Sequence, residues 1–201
     1  MSTDQVIPSE SIVENTTQKL DGPLNYRAAT LDDCESLRLL VESCFRGESS
    51  CQGWTSEHHL LGGQRIDTEM LTNLLNDNQS TTLLFFNPKN NNLVGCVHLQ
   101  NYPETEMATL GLLSISPTLQ NQGYGKYILA VAENYVANNW NAEYIEITVI
   151  DVRTELLDFY TRRGFTDTGR RKPFPFDDPK YGCAKRRDFE FVVMRKSVKS
   201  N

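Results

Sequence analysis

Long apolar runs are missing from this chain of 201 residues. No segment approaches the ~20 apolar residues that a membrane-spanning helix needs, so no membrane partner is expected. Residues 1–24 also lack an apolar signal core and the Arg-rich pattern of a transit peptide. They are polar, with Ser9, Glu10, Glu14, Asn15 and Gln18 among them. We read them as a flexible tail ahead of one folded domain over 25–201.

Cysteine is sparse and unpatterned. The five, Cys34, Cys44, Cys51, Cys96 and Cys183, are an odd number without a Cys-x-x-Cys pair. This argues against a disulfide framework and against a zinc site, so no metal is expected. It suits a reducing compartment, the cytoplasm or also the nucleus. An excess of positive charge is absent too. Twenty Lys and Arg against 26 Asp and Glu leave a net charge of −6. A general nucleic-acid binder is usually basic, so no nucleic-acid partner is expected, and Lys185-Arg186-Arg187 reads as a solvated turn. Internal repeats are absent. With 39% hydrophobic residues the chain can bury one core and is short for two.

What is present centres on one loop. Segment 108–115 is apolar and strand-like, and Ile128, Val131, Ala132, Tyr135 and Val136 follow at helical spacing within 127–139. Between them lies Gln120-x-x-Gly123-x-Gly125, three residues after Pro117. Unpaired N–H groups at a helix start, with the positive end of the dipole, form an anion seat. Gly123 and Gly125 would let a phosphate approach the main chain. A Walker A loop requires Ser or Thr where Tyr127 stands, and a dinucleotide fingerprint requires Gly where Ile128 stands; both fail.

Downstream, Ile145, Ile147 and Val149 alternate with Glu146 and Thr148, which predicts a strand over 143–150. Asp151 is a candidate N-cap. A helix is predicted from Arg153 onward, closed by Gly164. Upstream, strands are predicted at 25–29, 81–86 and 93–100, and helices from Leu31 to Cys44 and from Asp67. A loop is expected over 47–53, and two last strands at 165–171 and 188–196. The predicted class is α/β (α+β), a mixed, mostly antiparallel sheet flanked by helices.

Two motifs in this order resemble the GNAT superfamily of acyl-CoA N-acyltransferases: Gln120-x-x-Gly123-x-Gly125, and Phe159-Tyr160-x-x-x-Gly164-Phe165. The likeness covers about residues 25–197. Gly53-Trp54-Thr55-Ser56-Glu57, Leu60-Leu61-x-Gly63-x-Arg65 and Pro173-Phe-Pro-Phe176 resemble a subgroup carrying Gly-Trp-Thr-Thr-Glu.

The resemblance implies an acetyl-CoA-dependent N-acetyltransferase acting by direct attack on a primary amine of a small-molecule or amino-acid-like acceptor. It implies that Leu113, Ser114 and Ile115 pair by backbone with the pantetheine arm. Asn121, Gln122, Gly123, Tyr124, Gly125 and Lys126 would hold the diphosphate, Lys126 being a charge contact or a solvent-facing lysine. Tyr160 stands where the family places a proton donor beside the CoA sulfur. Arg153 replaces an Asn common in the family, and is either a cofactor contact or part of a structural ion pair. No acid lies in the middle of 108–115, where Gly111 stands instead. Glu57 is therefore the favoured base or acceptor contact, ahead of His58, His59, Glu104 and Glu106, or a helix-start acid. Trp54, Phe174 and Phe176 are loop anchors or acceptor walls. Protein N-terminal or lysine acetylation and a non-catalytic acyl-CoA-binding module are the alternatives. The oligomeric state stays open, a homodimer being one form.

Overall fold

The computed structural model describes residues 22–199. The segment read as a tail lies outside the described residues except at its end. There Leu24 has 0% exposure, and its carbonyl accepts the Tyr127 hydroxyl at 3.0 Å. Leu24 thus packs with the folded domain.

Seven strands form one sheet in the order β1 (Asn25–Ala28), β3 (Ser80–Phe86), β4 (Leu93–Tyr102), β5 (Met107–Ile115), β6 (Tyr144–Ile150), β9 (Glu190–Ser197), β7 (Thr166–Pro173). Only β5 and β6 run parallel; every other neighbouring pair is antiparallel. The mixed, mostly antiparallel α/β class expected from pattern is the class observed.

The two faces follow from strand alternation. On β3, Leu83 and Phe85 enter the cluster that holds helix α4 (Tyr124–Trp140), whose buried residues are Ile128, Leu129, Val131, Ala132 and Val136. Leu84 points the other way, towards α1 (Cys34–Phe45) and α3 (Thr68–Asn76), with Leu37, Val41 and Leu71 fully buried. Each such side chain contributes roughly 1.5–3 kcal/mol by leaving water. A third cluster gathers Leu60, Leu61, Ile150, Phe174 and Phe189 at one end of the sheet.

Three local expectations are corrected. The 47–53 segment is not all loop: it opens with one helical turn, α2 (Gly47–Ser50). Asp151 does not cap helix α5 (Thr154–Thr161), whose N-cap is Arg153. The Asp151 carboxylate instead accepts the N–H groups of Val152 at 2.8 Å and Glu190 at 3.1 Å, closing the end of the β6–β9 ladder. Helix α4 begins at Tyr124, a turn earlier than its apolar spacing suggests, because Gly123 takes φ +82° and serves as its N-cap. A second, two-stranded sheet pairs β2 (Leu61–Gly62) with β8 (Cys183–Ala184). It ties segment 173–187 to the loop after α1.

Candidate active site

Strands β5 and β6 pair only over Met107–Thr109 and Tyr144–Glu146, then diverge. A bulge assists. Cys96 pairs with Ser114 and His98 with Gly111, so Leu112 and Leu113 together oppose one residue of β4. Leu112 adopts φ +49°, a sparsely populated conformation for a non-glycine residue. Its carbonyl turns into the core, where it accepts the Cys96 thiol at 3.4 Å and the Ser114 hydroxyl at 3.0 Å. The β6-facing backbone edge of Leu110–Ile115 is left without a strand partner.

Two cavities occupy the cleft. One, of about 480 Å³, is lined by Asn121, Gly123, Tyr124, Gly125 and Lys126, with Trp54 and Phe159 packed across it, ring centroids 5.6 Å apart. The other, of about 190 Å³, lies between Leu110–Leu113 and Ile147–Ile150, under Phe174 and Tyr181. Thr55, Leu113, Leu156 and Tyr160 line both. The cavities therefore meet at Leu113 and Tyr160.

The larger cavity has the chemistry of an anion site. The first α4 hydrogen bond runs from Tyr127 N–H to Gly123 O at 3.2 Å, so the preceding amides lie ahead of the helical ladder. Asn121 at φ +62° and Gly123 at φ +82° shape the loop, and no atom lies within 4 Å of a Cβ added at Gly123. Lys126, Arg162 and Arg163 line the cavity, and none of them has a carboxylate partner among the described residues. The Arg163 guanidinium lies over the Phe159 ring at 4.9 Å, with its Nε buried and unpartnered. These residues fit a CoA diphosphate. Arg162 and Arg163 had been given no role from sequence; their position immediately before Gly164 was the available signal. Ser114 is buried, and its side chain clamps the bulge rather than facing either cavity. Gln122 is exposed and lines neither.

Tyr160 is 8% exposed and edge-stacked between Phe159 and Phe165, with centroids at 5.2 and 5.5 Å. Its hydroxyl has no hydrogen-bond partner among the described residues. Burial raises its pKa well above the ordinary tyrosine value, so the phenol keeps its proton. Glu57 lines the smaller cavity, with Oε2 held by Arg46 Nη1 at 2.6 Å. Its backbone N–H donates to Phe45 O, which fixes the turn after α2. Arg153 is 1% exposed and lines the smaller cavity, not the larger one. Its guanidinium pairs with Glu155 and donates to the carbonyls of Trp54 at 3.2 Å and Thr55 at 3.4 Å.

The other sequence candidates lie elsewhere. His58 Nδ1 bonds the Ser56 hydroxyl at 3.0 Å, and neither His58 nor His59 lines a cavity. Glu104 and Glu106 are exposed in the turn between β4 and β5. Phe174 walls the smaller cavity, whereas Trp54 walls the larger. None of the five cysteines lines either cavity. Burial pushes the Cys44 and Cys96 thiols up to about 11 and about 12.

The cleft thus sets a helix-start loop on one side and a pocket of mixed apolar and charged lining on the other. The chain matches the acetyltransferase (GNAT) family over residues 40–165 and belongs to that family. Its activity class is acetyl-CoA-dependent N-acetyl transfer. No curated protein matches it. Among solved structures, a chimera of Vibrio cholerae spermidine N-acetyltransferase SpeG and hSSAT aligns with TM-score 0.64 at 17% identity, covering 88% of this chain and 96% of that one. Spermidine N-acetyltransferase from Vibrio cholerae in complex with CoA and spermine aligns with TM-score 0.64 at 18% identity, covering 87% and 95%. Nourseothricin acetyltransferase gives 0.52 at 19%, covering 61% and 68%. At these identities the likeness is one of fold. No group of three or more metal-ligating side chains occurs among the described residues, and no described helix is long and apolar enough to cross a membrane.

Proposed function

We propose that the chain acetylates a primary amine of a small-molecule acceptor by direct attack, with cosubstrate and acceptor bound together. The observation that carries this is the meeting of two unlike cavities at Leu113 and Tyr160. Acetyl-CoA, when bound, supplies the activated acetyl group. The amides of Gly123–Lys126, with Lys126, Arg162 and Arg163, would hold its diphosphate, and the open backbone edge of Leu113–Ile115 its extended arm. Tyr160 Oη holds a proton at the junction, where a departing sulfur would accept a hydrogen bond. Glu57 Oε1 has no partner among the described residues, and Glu57 would be the group that meets the acceptor amine. The lack of cysteine on either wall favours direct attack over a thiol-bound acyl relay. The small volume and aromatic roof of the acceptor side favour a small molecule over a protein chain.

The test is thiol release from acetyl-CoA across a panel of amines. Turnover with at least one small amine is expected, and no turnover with any amine would remove the proposal. Gly123→Asp, which sets a carboxylate in the loop, should weaken acetyl-CoA binding by about 10²-fold or more through repulsion.

A further inference from the structure

The acceptor-side cavity carries an unusual balance of charge for an amine site. Its charged lining consists of three guanidiniums, Arg46, Arg65 and Arg153, and one carboxylate, Glu57. Arg46 is 5% exposed and bonded to Glu57, and Arg153 is bonded to Glu155. Those two pairs are internally balanced. Arg65 is left over. Its guanidinium lies over the Phe45 ring at 5.5 Å, and it has no carboxylate partner among the described residues. Its backbone is fixed: Arg65 N–H and Ile66 N–H both donate to Glu42 Oε1, at 2.5 and 2.7 Å. Arg46 lines the same cavity.

We propose that the acceptor is an amine bearing a carboxylate on an apolar body, with the carboxylate read by Arg65 beside Arg46. This rests on the acyl-transfer reading above and narrows its acceptor. The planar guanidinium fork matches a carboxylate in two parallel hydrogen bonds, which an ammonium group cannot accept. The stacking on Phe45 limits the fork's freedom before binding, so less order has to be imposed on the ligand's arrival. Glu57 Oε1 is the one carboxylate oxygen on the wall left to an amine. A second or third ammonium on the acceptor would therefore face guanidiniums instead of acids. The rest of the wall, including Leu61, Leu110, Ile147, Phe174 and Phe191, offers apolar surface to the acceptor's body. One amine, one anion and an apolar body describe an amino carboxylate. A polyamine lacks the anion and brings more ammonium groups than the one carboxylate oxygen can meet.

The experiment uses matched pairs: phenylalanine against phenethylamine, leucine against isoamylamine, and spermidine as the polycation. Binding to the full chain in the presence of CoA is measured by calorimetry, and thiol release from acetyl-CoA is followed in parallel. In the wild type the carboxylate member of at least one pair should bind about tenfold or more tighter than its decarboxylated partner. Arg65→Gln, which removes the charge and keeps a polar stem, should erase that preference while acetyl-CoA affinity stays within about twofold. Arg65→Lys, which keeps the charge and loses the fork, should retain part of it. Melting curves for both variants establish that they are folded. Equal binding within both pairs, tighter binding of spermidine, absence of binding by any carboxylate member, or a preference that survives Arg65→Gln would each overturn the proposal. Carboxylate-selective binding without acetylation of any amine would uphold the anion pocket and remove the transfer reading. Turnover confined to the decarboxylated amines or spermidine would uphold transfer and remove the pocket.

Discussion

The side-chain oxygen of Gln120 accepts the backbone N–H of Trp54 at 2.9 Å. The same carboxamide donates to Thr55 Oγ1 at 3.0 Å and to Ile115 O at 3.1 Å. The first residue of the loop motif is thus a buried strut. It joins the helix-start loop, the end of β5 and the loop that walls both cavities. Gly53 belongs to this arrangement, because a Cβ there would come within 2.6 Å of Gln120 Oε1.

Gln120→Ala should destabilise the fold and loosen the cosubstrate site together. It leaves the half-buried Trp54 N–H without its partner, at roughly 1–3 kcal/mol, while the Ile115 carbonyl keeps the Cys44 thiol at 3.2 Å. Urea unfolding should show a loss of about 1–3 kcal/mol, and calorimetry a weaker acetyl-CoA complex. An unchanged unfolding midpoint would show that the strut is dispensable.

Gly111→Leu separates the two cavities experimentally. Gly111 lines the acceptor side, and a Cβ added there meets nothing within 4 Å. A leucine side chain should fill that cavity without touching the loop at 121–126. Acceptor KM should rise by about tenfold or more, while acetyl-CoA affinity stays within about twofold. A cosubstrate affinity that falls as far as the acceptor's would mean that the cavities are not separable at this position.

The strands and both long helices were legible because their apolar residues repeat at fixed spacing. The cosubstrate loop was legible because glycines and a helix start leave a signature in a few consecutive residues. The acceptor wall was legible only in part, at Glu57 and Phe174. Arg46, Glu57 and Arg65 reach one cavity through two loops, and Arg153 reaches it from the far side of β6; no local pattern records that convergence. The small β2–β8 sheet was missed for a related reason. Two residues per strand cannot show alternation, and their pairing spans more than a hundred residues. Leu112 was read as an ordinary strand residue. Its φ of +49° is imposed by the two-against-one register with β4, which the sequence of β5 alone does not contain.

His98 gives the fold a dependence on pH. It sits in β4, 8% exposed, with Nδ1 2.9 Å from Thr82 Oγ1. Burial lowers its pKa from 6.5 to about 4, with Asp77 opposing weakly. In the unfolded chain the imidazole takes a proton near its ordinary pKa, while the folded chain refuses it until about pH 4. Its contribution is therefore fully present above pH 6.5 and is lost as pH falls towards 4, by on the order of 3 kcal/mol. His98→Gln keeps a hydrogen-bonding group near Thr82 and removes the titration. Denaturant unfolding at several pH values should show a shallower loss for the variant between pH 6.5 and 4. Parallel curves for the two proteins would mean that His98 is protonated in the fold at little cost.

Tyr160→Phe tests the junction itself. The ring is held on two sides by Phe159 and Phe165, and phenylalanine preserves both contacts. The hydroxyl has no hydrogen-bond partner among the described residues, so removing it breaks no internal bond. The melting temperature should stay about the same, since no internal hydrogen bond is lost and both ring contacts remain. Acetyl-CoA affinity should also hold, because the loop amides and the basic side chains are untouched. If Tyr160 Oη is the proton donor for the departing sulfur, turnover alone should fall, by about 10²–10⁴-fold. The measurements are steady-state thiol release, calorimetric binding and a melting curve on both proteins. A purely structural tyrosine predicts near-normal turnover in both. Near-normal turnover with unchanged stability would leave the phenol without a role in the fold or the reaction, and the proton would then have to come from water reaching the sulfur through the larger cavity.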